Sequence, residues 1–416
     1  MTHSANHALV FGGSGLIGWS VVDQLLSGYP EKNSFAKVTA ITNRPVNPSE
    51  TQWPEPPGGR PELHLVSGID LRSHTQNSLS QVLKDSIQDI ENVTHVFYFV
   101  FTSMADDTEE VEVNRKMIEV AIDALNVLSP NLQFVVFPGG TRGYGIYIPG
   151  GTFRPPLTEN MVDNLPQDYA RTCVYPVFRQ VLSNASSGKK WTWCEVCPDT
   201  IVGFTPNGSQ FSLALHWAQY LSLYAYNHGI GPHTGGLEQP DHKIKTQVVV
   251  PFPGVEAAWK AKNTPVAAKT IARFSIYASL HPKECGSGNG RGQQLFNIAD
   301  RERPSTCEEL WPKLAAWFGL VGVGLPSPAD QMAPRELPGE YIEKYQDVFK
   351  QYGLDKAATS GVSAGRKQLD SVGTWLTFDR HLSLDKLRAS GFAEEPDPTD
   401  AWTEAFQKFR EGGMIL

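Results

Sequence analysis

Nowhere does the sequence offer the roughly 18 consecutive apolar residues that mark a membrane-crossing helix, so none is expected. Cysteine is scarce, five in 416 residues and an odd number, which argues for reduced thiols rather than a disulfide-stapled secreted scaffold. Cys194 and Cys197 do form a C-x-x-C, but "WTWCEVCP" around them reads as a buried strand, with no second pair and no histidine cluster. No metal site is read there, and His216, His228 and His233 have no metal-ligand spacing either. Positive charge is in the minority. Lys and Arg number 36 against 44 Asp and Glu, and the net charge of −8 disfavours nucleic acid or an anionic membrane as partner. The opening "MTHSANHALVFGG" lacks the basic start and apolar stretch of a secretory leader, so a cytoplasmic location is expected. No internal repeat and no long low-complexity tract is found.

What is present is material for a large core: 40% of residues are hydrophobic and 10% aromatic. Over the first 140 residues, apolar strand-like runs ("HALVFGG", "KVTAITN", "LHLVSGID", "THVFYFVF", "LQFVVFPGG") alternate with helical patterns at 17–27, 78–90 and 110–128. That alternation predicts βαβ units and an α/β fold, a Rossmann doubly wound parallel sheet covered on both faces. Later strands are expected at 191–204 and 293–300. The chain divides into a dinucleotide-binding domain over 1–204, with a later strand from about 246–300, and a smaller, mostly helical substrate-binding or cap region over 205–245 and 301–416.

The strongest local signal is "ALVFGGSGLIGWSVVDQLL" (8–26), which sets Gly12, Gly15 and Gly18 between a strand and a helix. Glycines so placed allow a tight turn and close backbone approach to a pyrophosphate seated on the helix N-terminus. Gly12, Gly13, Ser14, Gly15, Leu16, Ile17 and Gly18 are therefore candidate cofactor contacts. The second strand ends in "AITNRP" with Thr42, Asn43 and Arg44 and no acid to chelate ribose hydroxyls. Arg44 suits a 2′-phosphate, so NADP(H) is favoured over NAD(H); an ordinary exposed loop arginine is the alternative. Asp70, followed by Leu71, either accepts from the adenine amino group or caps a helix. Phe99, Val100 and Phe101, at the end of the fourth strand, are expected beside the nicotinamide ribose.

Ten segments, in order along the chain, resemble the progesterone 5β-reductase/iridoid synthase-like (PRISE-like) branch of the extended short-chain dehydrogenases. They are "FGGSGLIGWS", "THVFYFVF", "EEVEVNRKMIEVAIDAL", "FPGGTRGYGIY", "PPLTEN", "CVYPVFRQVL", "PDTIVGFTP", "VPFPGVEAAW", "LFNIADRERPSTCEELWPKLAAWFG" and "HLSLDKLRASGF". The resemblance implies NADPH-dependent reduction of the C=C bond of an α,β-unsaturated carbonyl compound, with a tyrosine hydroxyl stabilising the enolate oxygen. On this sequence that tyrosine falls on Tyr175, and the family's lysine, in a Gly-Thr-Lys motif, falls on Arg142 of "GGTRGYG". A guanidinium is a poor link in a proton relay, since its pKa exceeds about 12. Carbonyl-to-alcohol chemistry is therefore less expected than chemistry needing only oxyanion stabilisation.

Each of these residues also has a plainer reading. Tyr175 is a catalytic donor or an aromatic packed at a helix start before Pro176, and Arg142 is a site cation or a salt-bridged arginine. Arg179, one turn past Tyr175, touches the cofactor or is a solvated helix arginine. The resemblance further implies that Pro198, Thr200 and Ile201 line the nicotinamide. It also implies that the aromatic helix at 211–229, with Trp217, Tyr220 and Tyr224, roofs the substrate pocket. Tyr144 and Tyr147 line that pocket or simply pack. The partner expected is an apolar, terpenoid- or steroid-sized carbonyl compound rather than a sugar nucleotide; a homodimer is left open. Two other classes stand beside the reductase: a cyclase or isomerase of secondary metabolism that binds NADP(H) without net redox, and a non-catalytic NADP-sensing regulator.

Overall fold

The computed structural model describes residues 6–416 apart from 210, 232–246, 289–291, 293, 326–335 and 360–365. Seven strands make one sheet: β1 His7–Phe11, β2 Lys37–Thr42, β3 Glu62–Ser67, β4 His95–Tyr98, β5 Phe134–Pro138, β6 Thr192–Pro198 and β7 Leu295–Ile298. All six neighbouring pairs are parallel, in the order β7-β6-β5-β4-β1-β2-β3. The order reverses between β1 and β4, and in such sheets ligands bind outside the carboxyl ends of the strands at that crevice. The seven strands fall in the segments the sequence predicts, and the sheet is the expected Rossmann architecture.

Side chains along β1 alternate between two cores, Ala8 and Val10 on one face and Leu9 and Phe11 on the other. This period of two with no exposed residue is what a sheet covered on both sides requires. Helices α1 (Leu16–Leu26) and, much later, Ala268–Leu280 cover the first face, through Val21, Leu25, Ile271 and Phe274. Helices α2 (Gln76–Ser86), α3 (Asp107–Leu128) and α4 (Val174–Ser186) cover the second, through Leu79, Ile118, Leu125, Phe178 and Leu182. The start of α3 is set by Asp106, whose side chain accepts from the Glu109 amide at 2.8 Å, and by acids in the first turn that complement the helix dipole.

β4 is shorter than its apolar run suggests. The Phe99 amide still donates to the Phe11 carbonyl, 3.0 Å, after which Phe99–Phe101 leave the sheet as a loop. A second core lies in the C-terminal half, built from α5 (Leu213–Asn227), α6 (Cys307–Trp317) and α7 (Pro398–Glu411). Its centre is aromatic: Trp217 stacks on Trp402 at 5.2 Å and meets Trp311 edge-on at 5.5 Å. His216 Nε2 pairs with Asp370 Oδ1 at 2.8 Å, and His228 Nδ1 lies 2.8 Å from the Tyr224 carbonyl. His233 and residues 232–245 of the expected cap segment lie outside the described residues.

Candidate active site

The glycine loop is built for close approach. Gly12 has φ +78°, and a Cβ on it would lie 2.4 Å from the Phe99 carbonyl oxygen; one on Gly18 would lie 2.1 Å from the Gly12 carbonyl oxygen. The Gly12 and Gly13 amides both donate to the Ile41 carbonyl at 3.0 Å, pinning the loop to the end of β2. Gly15 is the N-cap of α1 and supplies no side chain to its amides. The first-turn N–H groups of α1 are thus left for another acceptor, the arrangement that takes a pyrophosphate. The glycines let the loop pack against Phe99 and against itself, and a loop so shaped at a helix N-terminus fits a dinucleotide.

Residues from the far end of β6 close on the same loop. The Thr205 hydroxyl donates to the Ser14 carbonyl at 2.7 Å. Between the two, Ile201–Val202 pairs in parallel with Val266–Ala267, and the Val266 amide donates to the Thr200 carbonyl. The segment that follows β6 thus reaches the glycine loop at Thr205, seven residues past Pro198. At the end of β2, Asn43 and Arg44 are exposed, and Arg44 forms no ion pair among the described residues. Thr42 is buried with its hydroxyl donating to the Arg44 carbonyl. Asp70 acts as a cap: Oδ1 accepts from the Arg72 amide at 3.1 Å, and Oδ2 pairs with the Arg72 guanidinium at 2.6 Å. These contacts, Arg72 foremost, hold its pKa below the ordinary carboxylate value. Leu71 is buried behind it.

Tyr175 stands at the start of α4 and reaches back to the end of β5. A Cβ on Gly140 would lie 2.7 Å from its hydroxyl oxygen, and one on Gly143 would lie 3.3 Å from its ring. The hydroxyl has no hydrogen-bond partner among the described residues, and the side chain is partly exposed. Burial pushes the phenol pKa well above its ordinary 10.0; Cys173 and Cys197 add to this, and Arg142 opposes it. Such a shift favours the neutral phenol, an O–H donor at the carboxyl edge of β5.

Both arginines near Tyr175 are engaged elsewhere. Arg142 gives Nη1 to Glu110 Oε1, and Nη2 to Asp107 Oδ1 (2.7 Å) and to the Thr172 carbonyl (2.6 Å). Burial alone would lower its pKa, but Glu110 and Asp107 reverse that and hold the charge. Arg179 is neither solvated nor turned outward. It is buried, with Nε 2.5 Å from Glu195 Oε2 on the strand beneath it, so that each charge is paired with the other. The two glycines of "GGT" make room for these groups: a Cβ on Gly139 would lie 2.1 Å from Glu195 Oε1, while Gly140 clears the tyrosine hydroxyl.

The aromatics expected in a pocket wall are distributed differently. Tyr144 is interior, its hydroxyl donating to Asn297 Oδ1 at 2.7 Å. Trp217 and Tyr220 belong to the C-terminal core, Tyr220 stacking on Trp311 at 6.3 Å. Tyr224 donates to the Val249 carbonyl at 3.0 Å. Only Tyr147, on the stretch after Arg142, is exposed. An aromatic stripe at helical spacing packs against other helices for the same reason it could line a pocket, since both bury apolar area.

Three residues of this region were missed in the sequence. Glu110 accepts from the Met104 amide with Oε2 (3.1 Å) while holding Arg142 with Oε1. Asn114, one turn on, bonds both the amide and the carbonyl of Thr102 (2.9 and 2.7 Å), so the loop after β4 is strapped to α3. Their four-residue spacing on one helix face was the available signal. Glu195 was also detectable, because a lone carboxylate inside "WTWCEVC" demands a buried partner.

Residues 8–416 match the PRISE-like Rossmann-fold domain family. A protein of Aspergillus calidoustus named short chain dehydrogenase ausT is 30% identical, covering 98% of this chain and 94% of its own length. The (S)-8-oxocitronellyl enol synthase of Nepeta racemosa is 27% identical over 92% of this chain and 85% of its own. Among solved structures, a UDP-glucose 4-epimerase of Thermus thermophilus, in complex with NAD, matches with a TM-score of 0.55 at 15% identity, covering 97% of this chain and 99% of that one. The chain belongs to the PRISE-like Rossmann-fold family and has the architecture of the extended short-chain dehydrogenases.

Proposed function

We propose that the chain is an NADP(H)-dependent reductase of the C=C bond of an apolar α,β-unsaturated carbonyl compound, with Tyr175 as the catalytic residue. The observation that carries this is the Tyr175 hydroxyl, set against Gly140 at the carboxyl edge of the sheet and without a hydrogen-bond partner among the described residues. In this reading the pyrophosphate rests on Gly12–Gly18 and the N-terminus of α1, and Thr42, Asn43 and Arg44 take the 2′-phosphate. Asp70 and Leu71 neighbour the adenine, Phe99–Phe101 the ribose, and Pro198, Thr200 and Ile201 the nicotinamide. The reduced cofactor, when bound, supplies a hydride to the β-carbon of the substrate.

The chain's own part begins as the C=C electron pair shifts to the bond between the α-carbon and the carbonyl carbon and the C=O pair moves onto the oxygen. Tyr175 donates its O–H to that oxygen as negative charge develops there, an interaction stronger in the transition state than in the ground state. No proton need leave the tyrosine, and the α-carbon takes its proton from water afterwards. The relative named as an enol synthase has a product with the oxygen such a donor would hold. That name also supports the second reading, a cyclase- or isomerase-type dehydrogenase that releases or rearranges an enol.

Purified protein incubated with NADPH and a panel of cyclic and linear enones should show substrate-dependent NADPH consumption and a saturated carbonyl product. Tyr175→Phe should lower that rate by about 10²–10³-fold, the effect of removing one oxyanion donor, with NADPH affinity unchanged. Tight NADPH binding without consumption, together with an isomerised or cyclised product, would replace the first reading with the second.

A further inference from the structure

Charge around Tyr175 is arranged in pairs. Cys173 stands just before its helix, which contributes Arg179; the turn after β5 contributes Arg142 and then Tyr147, α3 contributes Asp107 and Glu110, and β6 contributes Glu195 and Cys197. Tyr169 faces Arg142 from the preceding turn. Each of the two guanidinium groups is bound to carboxylate, Arg142 to Glu110 and Asp107 and Arg179 to Glu195. Glu110 and Glu195 are buried, so water screens neither pair well.

We infer that Glu110 and Glu195 are positioning residues: they hold Arg142 and Arg179 off the Tyr175 hydroxyl, so that the tyrosine meets substrate only as a neutral O–H donor and never as a base. The inference rests on Tyr175 being the site tyrosine and deepens the function proposed above. It also separates two chemistries. Oxidising an alcohol requires a group to take the hydroxyl proton as hydride leaves, and a cation touching the tyrosine would supply the phenolate for it. Conjugate reduction makes no such demand. Glu110 has a second effect, because its other oxygen holds the Met104 amide and fixes the loop that follows β4.

The test is a titration of Tyr175 itself, in protein carrying tyrosine labelled with ¹³C at Cζ, with Tyr175→Phe identifying its resonance. In the unaltered protein the resonance should stay at its phenol position through pH 10, the ordinary value of the group. Glu110→Gln should bring the midpoint down by about one pH unit, tenfold more phenolate at a given pH, and Glu110→Asp should restore it. Glu195→Gln should act in the same direction; should it not fold, Glu110→Gln alone decides. A midpoint at or below 10 in the unaltered protein, or one that Glu110→Gln leaves in place, would overturn the inference. The titration needs no substrate, so its outcome is independent of whether any enone is turned over.

Discussion

Gly140 and Tyr175 are packed so closely that a Cβ on the glycine would lie 2.7 Å from the tyrosine's hydroxyl oxygen. The backbone at Gly140 is extended, which any residue adopts, so the requirement for glycine is one of space. Gly140→Ala must push the hydroxyl aside while leaving the nucleotide cradle intact. Displacing a donor by about 1 Å can cost about a hundredfold in rate. Steady-state kinetics should show a fall of that order in kcat with NADPH affinity unchanged, and an alanine variant of full activity would remove Tyr175 from the chemistry.

Glu195 and Arg179 form a buried pair at 2.5 Å beneath the same glycines. Burial raises the Glu195 pKa above the ordinary carboxylate value, and Arg179 is the counterweight that keeps the pair ionic. Neutralising one partner strands the other, which typically costs ~3–5 kcal/mol. Glu195→Gln should therefore lower unfolding free energy by about 3 kcal/mol. The double change Arg179→Met with Glu195→Met should recover most of that, as read by chemical denaturation. Equal stability of the single variant and the parent would mean the pair contributes nothing.

This pair also marks where sequence reading reached its limit. The strands were legible because apolar runs on a parallel sheet leave no choice of face, and the glycine loop because its spacing follows a strand and opens a helix. Tyr175 was singled out from its motif, and the structure sets its hydroxyl against Gly140. What the sequence could not supply was which carboxylate each arginine meets, since Glu110 lies 32 positions from Arg142 and Glu195 lies on a different strand. Arg179 was read as solvated because a helix arginine usually is, and only the sheet beneath it reveals otherwise. Trp217 and Tyr220 illustrate the same limit: periodicity marks a buried face without saying what covers it.

Arg44, exposed at the end of β2 with no acid paired to it among the described residues, is the basis for expecting NADPH over NADH. A 2′-phosphate would gain charge-assisted hydrogen bonds there, whereas NADH offers only hydroxyls. Arg44→Asp should reduce the ratio of NADPH to NADH affinity by at least about tenfold, measured by quenching of intrinsic fluorescence. An unchanged ratio would take Arg44 out of the cofactor site.

His95, in β4, is buried with Nδ1 2.7 Å from the Thr94 hydroxyl, and burial brings its pKa down from 6.5 to about 4. Between those values the unfolded chain binds a proton that the folded chain does not, so stability falls as pH drops from 6.5 towards 4. The full effect is about 3 kcal/mol, and His7, lowered to about 4 chiefly by burial, acts in the same sense. Asp300 opposes both: burial raises it to about 6, so its contribution is lost as pH rises through that value. The informative quantity is thus the difference between proteins. His95→Gln should lose less stability than the parent between pH 7 and pH 4.5, by about 2 kcal/mol in urea denaturation. Parallel losses in the two proteins would show that His95 is protonated in the fold and contributes nothing to acid sensitivity.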